Sequence, residues 1–236
     1  MTVSVGHIAR RIINSMPVMK LMYKVDAFLD NRFSVRGMLS QAFAIVKLNG
    51  IQGDYFEFGM FEGRTFLHAR RLKRLHNRSD IHLWGFDSFC GLPEVSSDKE
   101  NEIWSTGQFA CSESDIRATL SAHGIEEREY TLVPGFYDQS LNDAQHAVMA
   151  GRTAAIVYID CDLYESTVPV LNFIERYLVN GTIVCFDEFY CYAGRPDQGE
   201  QRALTEFLER NPHIEFQRYL PYCPAGQSFI VYRKTV

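Results

Sequence analysis

The sequence predicts an α/β fold built on a mostly parallel sheet that ends in an antiparallel hairpin. Two observations carry this. From residue 54 onward, strand-like runs alternate with helical ones, with Gly151 and Gly181 punctuating the joins, and repeated β-then-α order gives parallel strands covered on both faces. The last two runs, 213–219 and 228–233, have only "PYCPAGQ" between them. No crossover helix fits there, so these strands must pair antiparallel.

The elements follow in order. Residues 7–30 read as helix, interrupted near Pro17, with apolar positions such as Ile8, Ile12, Met19 and Met22. The segment up to Arg36 is basic and amphipathic, which suits contact with an anionic membrane surface or, more commonly, packing on its own domain or on a second copy of the chain. A second helix over 35–48 stops at Asn49-Gly50, a C-terminal signal. Residues 1–50 are therefore expected to form a helical extension, a lid or dimer contact, on a domain spanning 51–236. Within that domain, strands are expected over 54–58, 81–86, 130–133, 154–160 and 182–187 before the hairpin. Helices are expected at 64–76, 113–123, 140–150, 166–178 and 199–210. The polar stretch 88–112 is long for a loop, and loops of that length are usually functional or disordered.

Composition excludes some classes. The chain of 236 residues has a net charge of −5, which argues against a broad basic face for nucleic acid. Its six cysteines form no CxxC pair and no zinc-like spacing. Free thiols in a reducing, cytoplasmic setting are the expectation. No apolar run is long enough to span a membrane. Pro17 and Lys20 break the run after Arg10 and Arg11, which therefore does not read as a signal peptide.

Ligands of open α/β sheets bind beyond the carboxyl ends of the strands, and here those ends are rich in chemistry. The stretch "YFEFGMFEGRT" places Glu57, Gly59, Gly63, Arg64 and Thr65 where the first strand turns into a helix, and such a turn exposes bare backbone and helix-terminal N–H groups to a ligand. The second strand ends in Asp87-Ser88, and an acid there accepts hydrogen bonds from ribose hydroxyls in nucleoside-binding folds. The third ends in Gly135-Phe136, the fourth in Asp160-Cys161-Asp162 and the fifth in Asp187-Glu188. The pattern Glu-x-Gly-x-x-x-Gly differs from G-x-G-x-x-G, and Glu57 suits a cationic ligand better than a pyrophosphate. Carboxylates gathered on adjacent strand ends repel unless protonated or neutralised by a cation. Oxygen ligands favour Mg²⁺; caps and turns are the plainer use of the same acids. Phe189, Tyr190 and Tyr192, after the fifth strand, serve equally as an acceptor wall or as loop packing.

The ordered pieces "FEFGMFEGRT", "GFDSFCGLPE", "VPGFYDQSL", "YIDCDLYEST" and "GTIVCFDEF" resemble the class I S-adenosylmethionine-dependent methyltransferases, and more narrowly the macrocin O-methyltransferase family of sugar O-methyltransferases. The resemblance spans about 50–233. It implies a Rossmann-like, doubly wound, seven-stranded sheet whose last pair is antiparallel. It implies S-adenosylmethionine as cofactor, held by Glu57, Gly59, Gly63, Arg64, Thr65, Asp87, Ser88, Gly135, Phe136 and Asp160. It also implies Mg²⁺ held by Asp162, Asp187 and Glu188, although relatives tend to end the fifth strand with two aspartates. The implied reaction methylates a hydroxyl of a sugar or another small-molecule natural product, with Asp162 taking the proton. Rival readings fit less well. A base-methylating enzyme would carry [DN]-P-P-[YF] where this chain has "DCDLY". A nicotinamide-dependent dehydrogenase would need a tighter glycine turn and a Tyr-x-x-x-Lys pair. A non-catalytic binding module would not need so complete a cofactor edge.

Overall fold

The computed structural model describes residues 33–95, 100 and 103–234. The helix expected over 7–30 lies outside the described residues. One seven-stranded sheet organises the chain, with strand order β3-β2-β1-β4-β5-β7-β6. The strands are β1 (Asp54–Phe58), β2 (Leu83–Asp87), β3 (Tyr130–Pro134), β4 (Ala154–Ile159), β5 (Leu178–Phe186), β6 (Ile214–Tyr222) and β7 (Gly226–Arg233). The first five pair in parallel, and β7 runs antiparallel to both β5 and β6. The expected hairpin is present. Its strands are longer than the sequence suggested because Pro221 and Tyr222 pair with Gln227 and Gly226 past an irregularity after Arg218.

Period-2 alternation sends neighbouring side chains to opposite faces, and every residue of β1 and β4 is buried. Tyr55 joins one cluster with α1 (Val35–Leu48), α2 (Arg64–Leu75) and α3 (Glu113–Ala122), including Phe43, Phe66 and Ile116. Phe56 and Phe58 join another with α6 (Tyr164–Ile174) and α7 (Gly199–Arg210), including Phe173 and Phe207. Helix α1, grouped with the extension on sequence, buries Met38, Leu39, Ala42, Phe43 and Val46 against the sheet, so it belongs to the core of the α/β domain. Ser34 caps it, its hydroxyl accepting the Gly37 N–H at 3.1 Å.

Two expected elements differ. The helix over 140–150 is two short ones, α4 (Tyr137–Ser140) and α5 (Asp143–Val148), because Asn142 caps the second by accepting the Gln145 N–H. The helix over 166–178 begins at Tyr164 and ends at Ile174, and β5 begins at Leu178.

Strand order reverses direction between β1 and β4, which creates a crevice at their carboxyl ends. Gly59 and Asp160 face each other there. The Gly59 N–H donates to Phe86 O and the Asp160 N–H to Phe58 O. Gly59 has φ +87°, and a Cβ on it would overlap the Asp160 carbonyl. A glycine is therefore required by backbone approach between two strands, in addition to any ligand. Substituting Gly59→Ala is expected to cost about 2–4 kcal/mol in chemical denaturation, combining left-handed strain with overlap. Gly151→Ala is the control. Its φ is +75° with open space around it, so strain alone should cost about 1–2 kcal/mol.

Candidate active site

A cavity of about 720 Å³ opens over the carboxyl ends of β1, β2, β4 and β5. Of the residues expected to hold the cofactor, Gly59, Asp87, Ser88, Phe136 and Asp160 line it, and so do Asp162, Asp187 and Glu188. Glu57, Gly63, Arg64, Thr65 and Gly135 are not among its lining residues. Glu57, Gly63, Arg64 and Gly135 have structural partners of their own.

Glu57 shares the Tyr55 face of β1, beneath α2. It is wholly buried, accepts the Tyr55 hydroxyl at 2.5 Å, and leaves Oε1 unpartnered. Burial pushes its carboxyl up to about 8, against hydrogen bonds that favour the charge. Gly63 is the left-handed cap of α2. Arg64 pairs with Glu62 at the surface. Gly135, at φ +123°, donates its N–H to Asp87 O and joins the β2 and β3 exits.

Asp87 fixes the glycine turn. One carboxylate oxygen accepts the Met60 N–H at 2.6 Å and the Phe61 N–H at 3.3 Å, and the other accepts the Phe89 N–H at 2.7 Å. A carboxylate has about four acceptor positions, so capacity for a ligand hydroxyl remains. Burial raises its pKa, and the three backbone donors oppose that. The Ser88 hydroxyl donates to Gly91 O and holds the start of the next loop.

The described residues of the long 88–112 stretch supply a wall of the cavity. Leu92 and Gln108 join through backbone hydrogen bonds, as do Gly107 and Leu92. Leu92, Pro93, Trp104, Gln108 and Phe109 face the cavity. Buried Glu100 ties this wall to the β4 exit by accepting the Tyr164 N–H at the start of α6. Phe61 and Phe109 meet edge-on at 5.4 Å between centroids, an aromatic rim that sequence reading did not pick out.

The acidic centre differs from its sequence expectation in composition. The carboxylates that offer oxygens within 4.8 Å of one another are Asp160, Asp187 and Glu188; Asp162 stands outside that set. Asp162 sits on a left-handed turn, φ +61°. Its carbonyl accepts the Tyr192 hydroxyl at 3.0 Å, which in turn accepts the Trp104 indole N–H at 2.9 Å. Burial, then Asp187, pushes the Asp162 carboxyl up to about 7. Burial also raises Asp160, Asp187 and Glu188, and Asp160 feels Asp187 and Asp162 as well. The Tyr158 hydroxyl donates to Asp187 at 2.7 Å.

Glu200, at the start of α7, is a fifth acid of this centre that the sequence did not reveal, and it is buried. It accepts the Glu188 N–H at 3.1 Å, while its Oε1 and Glu188 Oε2 have no partner. An acid in the first turn of a helix ordinarily reads as a dipole-favoured surface residue, which hides this role. Among the described residues, no lysine, arginine or histidine forms an ion pair with any of the five. The aromatics after β5 serve as packing: Phe189 is core, Tyr190 bonds Gln227, and Tyr192 holds the Asp162 turn.

A crevice at a strand-order switch, a glycine turn locked by the next strand's aspartate, and an acidic centre opposite define a methyltransferase of the class I type. The model of the macrocin O-methyltransferase family (TylF) matches residues 35–211, and the chain belongs to that family. It is an O-methyltransferase, and the family implies S-adenosylmethionine as methyl donor. A Streptomyces olivaceus protein, 8-demethyl-8-(2,3-dimethoxy-alpha-L-rhamnosyl)-tetracenomycin-C 4'-O-methyltransferase, is 27% identical over 199 residues, 75% of this chain and 74% of the relative. Demethyldecarbamoylnovobiocin O-methyltransferase of Streptomyces niveus is 27% identical over 173 residues, and this match spans 68% of the chain but only 62% of the relative. The solved O-methyltransferase NovP shares the fold with a TM-score of 0.70 at 22% identity, covering 85% of this chain and 79% of that one. Among the described residues no helix is long and apolar enough to cross a membrane, and all six cysteines are free.

The buried Glu57 gives a signed pH prediction. Its folded pKa lies above its unfolded value, so the native state holds a proton that the unfolded state has lost. Stability is full below the ordinary glutamate range and falls as pH rises towards about 8. Glu57→Gln keeps an acceptor for Tyr55 and removes this dependence. Urea denaturation from pH 5 to pH 8, on the scale of that folded pKa, should show the variant gaining on the parent protein as pH rises. A constant difference would place the Glu57 pKa at its ordinary value.

Proposed function

We propose that the protein transfers a methyl group from S-adenosylmethionine to a hydroxyl of a sugar or another small-molecule natural product, with Mg²⁺ at the acidic centre. The observation that carries this reading is the meeting of two halves in one cavity: the β1–β2 edge of Gly59, Asp87 and Ser88, and the β4–β5 carboxylates. The relatives' acceptors support the sugar assignment, since the Streptomyces olivaceus enzyme is named for a rhamnosyl 4'-position.

The donor set fits a hard cation. Three carboxylates converge, Glu188 and Glu200 carry unpartnered buried oxygens, and no base offsets them among the described residues. Asp160, Asp187 and Glu188 would hold the ion, with Asp162 at its side. When bound, such an ion lowers the pKa of a hydroxyl and orients it. S-adenosylmethionine supplies a methyl group on a sulfonium.

The chain's own residues do the rest. Asp87 accepts from the ribose, Ser88 and Phe136 border the adenosine, and the bare Gly59 backbone lets the donor approach. Asp162 takes the acceptor's hydroxyl proton. Burial and Asp187 raise the Asp162 carboxyl to about 7 without an ion, and a cation held at its side would offset that shift and keep the carboxylate free to accept a proton. The Trp104–Tyr192–Asp162 chain fixes its turn, and Phe61 and Phe109 give the cavity mouth an apolar edge.

Chelation should abolish transfer while S-adenosylhomocysteine binding, measured by calorimetry, survives. Asp162→Asn should lower kcat by about 10²–10⁴ with donor affinity unchanged. Full turnover in excess chelator would remove the metal from the reading, and a fully active Asp162→Asn would remove Asp162 as base. Glu200→Ala should weaken Mn²⁺ binding, read by electron paramagnetic resonance, by leaving the Glu188 N–H unmet. Glu200→Gln, which retains an acceptor, should recover part of it. Equal Mn²⁺ affinity in both variants and the parent would make Glu200 a packing residue only.

A further inference from the structure

The opposite edge of the sheet, at the amino ends of β2, β3 and β4, holds a second cavity of about 820 Å³. It shares no lining residue with the first. Five bases line it, Arg70, Lys73, Arg74, Arg128 and Arg152, against the acids Asp80 and Glu129. This concentration stands on a chain whose net charge is −5.

The cations outnumber the acids that can serve them. Lys73 is only 7% exposed, yet no carboxylate lies within 4.0 Å of its ammonium among the described residues. The acids that act on it through space are Glu129, Asp54 and Asp80. Each already pairs with an arginine: Glu129 with Arg70 at 3.2 Å, Asp54 with Arg152 at 3.3 Å, and Asp80 with Arg78 at 2.7 Å. Arg70 also carries a buried Nε–H that has no acceptor. Leaving a buried cationic donor without a partner is unfavourable, and here the unpartnered Nε–H of Arg70 and the lysine Lys73, which forms no ion pair among the described residues, line the same concave space. At the rim, Arg128 pairs with Glu126 in an exposed contact, its only ion pair among the described residues. Such pairs are weak and readily exchanged.

We propose that this groove is a second ligand site, for a phosphate-bearing anion, with Lys73 and Arg70 at its floor and Arg74 and Arg128 closing over it. Arginine forks match phosphate oxygens two at a time, and a lysine adds a point charge. Several donors spread over floor and rim call for more than one phosphate, so a diphosphate is the chemistry that meets them. The groove is concave and local, which suits a small molecule rather than a duplex or a membrane surface. Nothing in this inference depends on the metal or on the identity of the methyl acceptor.

The test uses inorganic pyrophosphate and adenosine diphosphate as probes, with S-adenosylhomocysteine kept at saturation so that adenosine does not enter the first cavity. Thermal unfolding and calorimetry should show both probes stabilising the protein at millimolar concentration, with stabilisation falling as salt is added. Lys73→Met should weaken binding by about tenfold or more and leave S-adenosylhomocysteine affinity unchanged. Tighter binding of adenosine diphosphate than of pyrophosphate assigns the site to a nucleoside diphosphate; equal binding assigns it to the phosphates alone. Should Lys73→Met fail to fold, the exposed pair Arg74→Ala and Arg128→Ala decides. No stabilisation of the parent protein by either probe overturns the proposal, as does undiminished binding in the folded variants.

Discussion

Everything in the acidic centre follows from one electrostatic constraint: Asp160, Asp162, Asp187, Glu188 and Glu200 share a desolvated space and find no base among the described residues. The ends of β4 and β5 are adjacent because those strands pair in register, Ile159 beside Phe186. The next residue on each strand is therefore an acid facing an acid. Desolvation and mutual repulsion both disfavour ionisation, and the raised pKa values express this. Hydrogen bonds relieve it only in part. Tyr158 serves Asp187, and Glu200 spends one oxygen on the Glu188 N–H. Such an arrangement persists in a marginally stable protein only when the surrounding fold is strong enough to hold it.

That strength comes from the sheet and its two cores. Both faces of β1 and β4 are covered, so the two strands that carry Gly59 and Asp160 are wholly buried supports for the site. The left-handed turn at Asp162 is held from outside by Tyr192 and Trp104, which belong to different loops. Asp87 performs the matching service on the other half by gathering three backbone N–H groups. The cavity is thus framed by strand ends, while the described residues of 88–112 supply its outer wall, fastened beside the β4 exit through Glu100.

The fold was largely legible in the sequence because its signals are local: alternation of strand and helix, a hairpin too short for a crossover, and glycines at joins. The strand-exit acids were legible for the same reason. The misassignments have physical causes. Glu57 was expected to face a ligand, but two-residue periodicity puts it on the face of Tyr55, beneath α2, and that signal was present in the sequence. Asp162 was expected among the converging carboxylates. A positive φ at that residue re-aims the chain, and nothing in "IDCDLY" reveals it. Glu200 and the 88–112 wall depend on contacts between segments far apart in sequence, Glu188 with Glu200 and Glu100 with Tyr164, which no local pattern encodes.

If a cation relieves the crowding, its arrival must displace the protons that the crowding retains. Mg²⁺ titrations by calorimetry at neutral pH, in buffers of differing ionisation enthalpy, measure that release directly. The account predicts an apparent binding heat that varies with the buffer, corresponding to about one proton or more released per ion, and a smaller release after Asp160→Asn. Binding heats that are the same in every buffer, or no Mg²⁺ binding at all, would contradict the claim that unneutralised carboxylates govern this site.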